Sequence, residues 1–283
     1  MLAIVGGVGA AIVFATVTLC NARASRIIGP SQLLAWVMLI GLAVTAPLVA
    51  AEGLPRGFDG AAAAWLAVAG VGNLVGLRLA YAALRIGPVS LVAPIVSTQG
   101  AVAAVIALVA GEPLGLPAAV VLGLIAVGVF LAGMTARPDA APDEPEGRSS
   151  LVHALGAAVA IGWSLYAVAR ASVALSVAWA LIPSRLIGVV AVTLPVALGS
   201  GLRMTRPALP LVAVSGVCEV LGFALYALGA RHGIAVSAVL ASQFGAVAAV
   251  AAYFLFGERL ARTQIVGVAV ILVGVGVLSA IRA

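Results

Sequence analysis

The chain has 283 residues, of which 64% are hydrophobic and 8% are charged. Because a soluble domain carries about 25% charged residues, this composition excludes the soluble globular class. All fifteen basic residues are arginines, and they are scattered along the chain rather than grouped. The sequence therefore offers no basic patch for a nucleic-acid partner. Two cysteines and two histidines cannot supply a disulfide framework or a grouped metal site, so we expect no metal and no cofactor.

The apolar runs of the chain have the length of membrane-spanning helices, which need about 20 largely apolar residues each. The sequence lacks the alternating pattern of membrane barrel strands, so we predict an all-α integral membrane protein with ten transmembrane helices. A signal peptide begins with a positively charged region, but no charged side chain precedes the first run. We therefore expect that run to be retained. The predicted spans are residues 2–20, 31–50, 61–83, 88–110, 117–136, 151–169, 176–199, 208–229, 233–256 and 263–281.

An internal duplication divides the sequence into two halves. Similar strings recur in the same order at separations of 145 to 147 residues, and this constant spacing makes the set significant. The matches are GAAIVFATVTLCNARAS at 9–25 with GAAVAIGWSLYAVARAS at 156–172, GAVAAV at 100–105 and 245–250, Tyr81 with Tyr226, and Gly111-Glu112 with Gly257-Glu258.

These matches predict a first five-helix repeat at 1–136, a flexible acidic, Pro-rich linker at 137–150 and a second five-helix repeat at 151–283. After an odd number of crossings the second repeat enters the membrane from the opposite side, so the repeats are predicted to be inverted. Two inverted repeats can enclose a cavity that opens to either side in turn, which is the alternating access of secondary transporters. The alternative is a duplication retained only for packing.

The end of the chain carries a recognisable turn and helix, YFLFGERLARTQIVGVAVILVGVGVLSA at 253–280. This segment resembles the EamA-type domains of the drug/metabolite transporter superfamily. The resemblance rests on Gly-Glu-Arg-Leu at 257–260, Gln264, Gly267 and Gly274, and on Gly111-Glu112 in the first half. It implies ten helices in two inverted repeats, a central cavity, and export or exchange of small metabolites such as amino acids. We expect a multi-pass protein of the cell inner (plasma) membrane.

Charged side chains inside predicted spans indicate a functional site, because a charge at a helix centre costs about 2.5–3.5 kcal/mol. Glu219 falls in the middle of span eight and shares one helical face with Tyr226. The repeat maps that face onto Arg78 and Tyr81 of span three. We hypothesise a cavity in which Arg78 binds the carboxylate of a zwitterion and Glu219 binds its amine. Alternatively, Glu219 pairs with Arg78 or Arg185 as a structural contact, or exchanges a proton to couple transport.

Other polar and aromatic residues complete the candidate site. Gln99 and Gln243 lie in spans four and nine and are predicted to contact substrate or to form hydrogen bonds between helices. Trp163 of span six is predicted to stack on substrate or to face lipid. Structural roles are expected for Arg185, which would hold the helix bundle together, and for Glu112 and Glu258, which would cap or lock the connections before helices five and ten.

An enzyme is the main rival class, but the sequence has no GxSxG, Walker or metal-ligand motif. Within transport, the runner-up is proton-coupled efflux of cationic drugs or amines, because Glu219 could bind a cation. The expected partners are a small-molecule substrate, the lipid bilayer and protons, with no nucleic acid, and the chain is expected to be a monomer or homodimer. The arginine distribution favours termini outside whereas the resemblance favours the reverse, so the orientation stays open.

Overall fold

The computed structural model describes residues 1–53, 55, 58–87, 89–112, 115–133, 145–256, 262–263, 265–267, 269–270, 273–274 and 277. All regular structure in this part of the chain is helical, as the apolar runs predict. The helices are α1 (Leu2–Ile28), α2 (Pro30–Glu52), α3 (Gly60–Ile86), α4 (Val89–Ser97), α5 (Gln99–Val109), α6 (Leu116–Gly133), α7 (Pro145–Ala174), α8 (Val177–Gly188), α9 (Leu194–Gly199), α10 (Leu209–Ala230), α11 (Ile234–Ala241) and α12 (Phe244–Phe256).

Six helical stretches are long and apolar enough to cross a membrane by length and composition: Leu2–Ile28, Pro30–Glu52, Gly60–Ile86, Ser149–Ala174, Val177–Gly199 and Leu209–Ala230. Each corresponds to one predicted span, and an integral membrane protein is confirmed at this level. The tenth predicted span is described only in part, and the ten-helix inverted arrangement stays a prediction. Residues 137–144 of the predicted linker lie outside the described residues, whereas residues 145–150 form the first turns of α7 rather than a linker.

Spans four and nine are broken at corresponding places. The first break separates α4 from α5 at Thr98, whose hydroxyl donates to the carbonyl of Ile95 at 2.7 Å. The second separates α11 from α12 at Ser242 and Gln243, and the Ser242 hydroxyl donates to the carbonyl of Val239 at 2.6 Å. Side-chain hydroxyls that bond the preceding turn compete with the regular helix pattern. The two breaks therefore place Gln99 and Gln243 at helix ends rather than inside continuous helices.

Helix α2 packs antiparallel to the seventh span, in which a π-helical turn (Val189–Thr193) joins α8 to α9. At the start of α2, Gln32 donates to the carbonyl of Gly201, which follows α9, at 2.9 Å. At its end, the carbonyl of Gly53 accepts from the indole of Trp179, near the start of α8, at 2.9 Å. Each end of α2 is thus attached to the opposite end of the corresponding span in the other half.

Glycines make close helix contacts in reciprocal pairs across the two halves. A Cβ atom at any of these positions would meet the partner side chain at 2.3–2.8 Å, so only glycine allows the observed approach. In each pair, the second contact joins the two residues that correspond, in the opposite halves, to the two residues of the first contact. Gly41 contacts Arg185, and Gly188 contacts Met38. Gly76 contacts Ile161, and Gly222 contacts Phe14. Gly100 contacts Ser242, and Gly245 contacts Ser97.

The burial patterns of α3 and α10 fix the correspondence between these two helices. Shifting α10 back by 146 residues superimposes ten of its buried positions on buried positions of α3, whereas a shift of 145 superimposes four. At the correct shift, Glu219 corresponds to Asn73 and Tyr226 corresponds to Ala80. The predicted equivalence of Tyr81 with Tyr226 is therefore wrong by one residue, which is about 100° around a helix.

Candidate binding cavity

A cavity lies where helices of the two halves meet. Its volume is about 70 Å³, and one water needs about 10–15 Å³ on this measure and fills about 30 Å³ of liquid. The cavity as described therefore has room for about two to five waters, and a substrate larger than this would have to widen it. The lining is largely apolar and comes from α1, α3, α4, α5, α7, α10 and α12: Phe14, Val17, Thr18, Asn21, Leu77, Ala80, Tyr81, Leu84, Val92, Ala93, Val96, Gln99, Ile161, Glu219, Phe223 and Phe244.

The cavity occupies one end of the bundle rather than its full length. Helices α1 and α3 line it with residues from their C-terminal halves, and α4 lines it with residues 92–96 near the first break. The opposite end of the bundle holds the contact between the turn after α5 and the start of α11. That opposite end also holds a second pocket, which is lined by Met1, Leu2, Ala3, Ile4, His232 and Val236.

A buried ion pair stands at the wall of the cavity. Arg185 Nη1 lies 2.9 Å from Glu219 Oε1, and both side chains are at most 2% exposed. Gly41 gives the arginine room to pass α2, and the guanidinium lies 5.9 Å from the ring centroid of Phe223. Of the two partners left open by the sequence, Glu219 pairs with Arg185. Since a buried charge is stable only when paired, Arg185 and Glu219 depend on each other.

Two residues of the lining carry buried oxygens without hydrogen-bond partners in the described part of the chain, Gln99 Oε1 and Glu219 Oε2, and the hydroxyl of Tyr81 interacts with the side chain of Asn21. Glu219 thus uses one carboxylate oxygen for Arg185 and leaves the other unpaired. Such atoms are uncommon in native structures, because an unsatisfied buried polar atom costs about 1–3 kcal/mol. Water or a bound molecule in the cavity would satisfy them.

Aromatic rings form much of the remaining wall. Phe14 packs edge-on against Phe223 and Phe244, with ring centroids 5.3 Å and 6.2 Å apart. Together with Tyr81, these rings come from helices of both halves. Aromatic faces attract cations, and sets of rings recognise ammonium groups in proteins. The wall can therefore contact an apolar body and an adjoining ammonium group.

Arg78 was predicted to lie in the cavity, but the structure places it elsewhere. The cavity face of α3 runs through Leu77, Ala80, Tyr81 and Leu84, whereas Arg78 is exposed on another face. The cause is the one-residue error in the repeat register, which rotated the predicted face. Among the described residues that line the cavity, no arginine is present, so the predicted carboxylate partner is not in place.

The structure separates the other predicted residues. Tyr81, Gln99 and Glu219 line the cavity. Tyr226 is buried beside it and donates its hydroxyl to the carbonyl of Leu165 at 3.0 Å. Gln243 donates to the carbonyl of Val239 at 2.8 Å, within its own helix turn. Trp163 is 46% exposed on α7, the placement expected of a lipid-facing side chain.

Glu112 caps a helix of the other half. Its Oε2 accepts from the backbone N–H of Ala235 at 3.0 Å, in the first turn of α11. The N-cap residue Gly233 has no side chain to supply this bond, so Glu112 replaces the missing cap across the interface. Glu258, its counterpart in the repeat, lies outside the described residues, as do the rest of the Gly-Glu-Arg-Leu turn and Gln264.

Several lining residues were missed by the sequence prediction. Asn21 is 1% exposed and accepts from the Ser215 hydroxyl at 2.6 Å, joining α1 to α10 beside the cavity. Asn21 directly follows the predicted first span, residues 2–20, and was therefore placed outside the predicted membrane helices. Phe14, Phe223 and Phe244 carry no signal of a lining position, because apolar residues occupy every face of these helices.

Comparison with known proteins identifies the family. The family model described as the EamA-like transporter family matches residues 1–134. Residues 1–134 are thus an EamA-type domain of a membrane protein. The resemblance to the drug/metabolite transporter superfamily is therefore confirmed, and the EamA family is a transporter family rather than an enzyme family.

The fold is shared with solved structures. One of them, described only as "Crystal structure of protein", matches with a TM-score of 0.74 over 99% of this chain and 96% of its own length, at 17% identity. At that identity the likeness concerns the fold alone. No curated protein matches this chain.

Proposed function

We propose that this membrane protein is a secondary transporter that exports or exchanges small metabolites with an amino group and an apolar body, in the cell inner membrane. Amino acids are the first class of candidate substrates. The observation that carries this proposal is the pair of unpaired oxygens on Gln99 and Glu219, beside the hydroxyl of Tyr81, around one cavity at the junction of the halves.

The unpaired atoms favour a ligand that donates hydrogen bonds. Gln99 Oε1 and the carboxylate oxygen Glu219 Oε2 can only accept, and the hydroxyl of Tyr81 can donate or accept. An ammonium group supplies three donors, and its positive charge suits Glu219 and the faces of Phe14 and Phe223. The apolar remainder of the lining suits a hydrocarbon body.

Alternating access by two inverted repeats is supported by the antiparallel packing of α2 on its counterpart, the seventh span. Corresponding helices that pack antiparallel are related by a two-fold axis perpendicular to them. For helices that cross a membrane, such an axis lies in the membrane plane, as in inverted-repeat transporters. The broken spans four and nine also match the discontinuous helices of that class.

The runner-up is proton-coupled efflux of cationic drugs or amines. One observation favours it: Glu219 belongs to the described cavity lining, whereas Arg185 stands behind it and is already paired with Glu219, so a carboxylate of the substrate would have to compete with Glu219 for that guanidinium. A simple amine would then be transported at least as well as the corresponding amino acid.

Counterflow in proteoliposomes tests the proposal and separates the two classes. The matched compounds are phenylalanine, 2-phenylethylamine and 3-phenylpropanoate, which carry both charged groups, only the amine, and only the carboxylate. We expect uptake of phenylalanine or 2-phenylethylamine and none of 3-phenylpropanoate. Uptake of the amine alone, with a dependence on the pH gradient, supports the runner-up. Absence of counterflow for the whole series, extended to leucine and methionine, would contradict the proposal.

Variants connect the flux to the cavity. The double substitution R185M/E219N gives the second half the residues of the first, Met38 and Asn73, and removes both charges together. We expect it to fold and to lose transport of the amine-bearing compounds. R78Q removes a charge outside the cavity and is the matched control, which should transport as the unsubstituted protein does.

A further inference from the structure

Asn73 is a buried amide without a described role. It lies on α3 with 2% of its surface exposed, and neither Nδ2 nor Oδ1 has a hydrogen-bond partner among the residues that the structure describes. An amide that leaves both groups unpaired in a membrane interior is unfavourable, since no bulk water can satisfy it. Its presence therefore calls for an explanation other than the packing observed here.

Neighbouring hydroxyls do not explain Asn73. Ser164 of α7 lies against Gly72, but its hydroxyl donates to the carbonyl of Ala69 at 2.8 Å. Ser184 of α8 lies against Gly70, and its hydroxyl donates to the carbonyl of Leu181 at 2.7 Å. The hydroxyl donors of the two helices that pack on this part of α3 are thus engaged elsewhere.

The position of Asn73 relates it to the cavity. It precedes Leu77 and Tyr81 by one and two helical turns, so the three residues share one face of α3. Leu77 and Tyr81 line the cavity, whereas Asn73 lies beyond its inner end and does not. An opening of the bundle from its other end would therefore reach Asn73 along the same face.

The repeat gives this position a counterpart. The burial patterns of α3 and α10 superimpose at a shift of 146, and at that shift Asn73 corresponds to Glu219, which lines the cavity. When two inverted repeats exchange conformations, corresponding residues exchange environments. Leu77 and Phe223, which correspond to each other, both line the cavity and mark its shared centre.

We propose that Asn73 is a substrate-binding residue of the opposite-facing state, in which it takes the place that Glu219 has in the state described here. The inference rests on the proposed transport by alternating access. In that state Oδ1 of Asn73 accepts from the amino group of the substrate, and Nδ2 donates to a carboxylate or carbonyl oxygen where the substrate has one. The amide thereby gains the partners that it lacks in this structure.

Cysteine accessibility from the two sides of the membrane tests this assignment. In a C20A/C218A background, the variants are N73C and T18C, because Thr18 lines the present cavity and differs little from cysteine in size. Each is treated with a membrane-impermeant methanethiosulfonate reagent in right-side-out and in inside-out vesicles, with and without 2-phenylethylamine or phenylalanine. We expect the reagent to modify T18C from one side and N73C from the other, with substrate protecting both.

Three outcomes are informative. Modification of N73C from the same side as T18C, or modification without substrate protection, overturns the inference. An unreactive N73C also overturns it, provided that the variant still catalyses counterflow. Absence of counterflow in the unsubstituted protein, for every compound tested, contradicts the proposed function rather than the role of Asn73.

Substitutions that retain the fold give a second measurement. N73S shortens the side chain and N73Q keeps the amide, so folding can be checked for both by size-exclusion chromatography. We expect N73S to raise KM at least fivefold for uptake in one direction and to change KM little in the other. Equal KM values in both directions for N73S and the unsubstituted protein would overturn the inference.

Discussion

Arg185 and Met38 occupy corresponding positions of the two halves and contact each other, with Arg185 Nη1 3.9 Å from Met38 Sδ. If the proposed inverted repeats are related by a two-fold axis, such a contact between corresponding residues lies on that axis. Gly41 and Gly188 make room for the two side chains in the same reciprocal way. The buried ion pair thus joins this contact to the cavity, because Arg185 touches Met38 on one side and pairs on the other with Glu219, which lines the cavity.

The mutual dependence of the two charges predicts different results for single and double substitutions. E219Q leaves the guanidinium of Arg185 buried without its partner, which typically costs about 3–5 kcal/mol. R185M/E219N removes both charges and, as replacements of buried ion pairs often are, should be close to neutral for stability. Thermal unfolding in detergent measures the difference. An E219Q variant as stable as the double variant would show that the pair is not energetically coupled.

Close helix contacts at Gly76 and Gly222 predict a second stability difference. A methyl group would lie 2.3 Å from the Ile161 side chain in G76A and 2.5 Å from the Phe14 ring in G222A. Overpacking of this kind costs about 1–3 kcal/mol, and we expect a lower unfolding temperature for both variants. Gly123 has no atom within 4 Å of the corresponding position, so G123A is the matched control. Destabilisation by G123A as large as that by G76A would contradict the packing argument.

Much of the fold follows from the sequence, because long apolar runs without charges are sufficient to predict membrane helices. The position of Glu219 was predictable for the same reason, since an acid in such a run is costly. The facing of Arg78 was mispredicted, because the match of Tyr81 with Tyr226 favours a shift of 145. The sequence itself favours 146, at which Ala67-Val68, Gly70-Val71 and Gly76 align with Ala213-Val214, Gly216-Val217 and Gly222. Gly76 and Gly222 align with each other at a shift of 146. The packed structure shows why both are glycine, since each allows a close helix contact.

The breaks in spans four and nine show a second limit of the sequence. Both spans are largely apolar, with a few polar residues near the middle, so hydropathy predicts two continuous helices. The breaks depend on single hydroxyls, those of Thr98 and Ser242, that bond the preceding turn. Ser and Thr form such bonds in unbroken helices too, and only the crossing of the two spans, with Gly100 on Ser242 and Gly245 on Ser97, makes the break favourable here.

Glu112 predicts a local effect at the start of α11. Replacing it with alanine removes the acceptor for the Ala235 N–H, a loss that costs about 1 kcal/mol at helix N-caps. Amide hydrogen exchange of residues 235–238 should become about fivefold faster in E112A, because 1 kcal/mol corresponds to that factor. E112Q keeps an acceptor oxygen and should retain most of the protection. Unchanged exchange in E112A would show that the cap is not formed in solution.

The two glutamines at the helix breaks give the last prediction. Gln99 lines the cavity with an unpaired Oε1, whereas Gln243 is buried in the corresponding break of the second half and does not line the cavity. A hydrogen bond to a charged group contributes about 1.5–3 kcal/mol, so Q99L should raise KM for the transported amine at least tenfold. Q243L removes the same amide outside the cavity and should change KM less than twofold. Initial rates of counterflow with 2-phenylethylamine measure both. A larger effect of Q243L than of Q99L would mean that the cavity described here does not bind the amine.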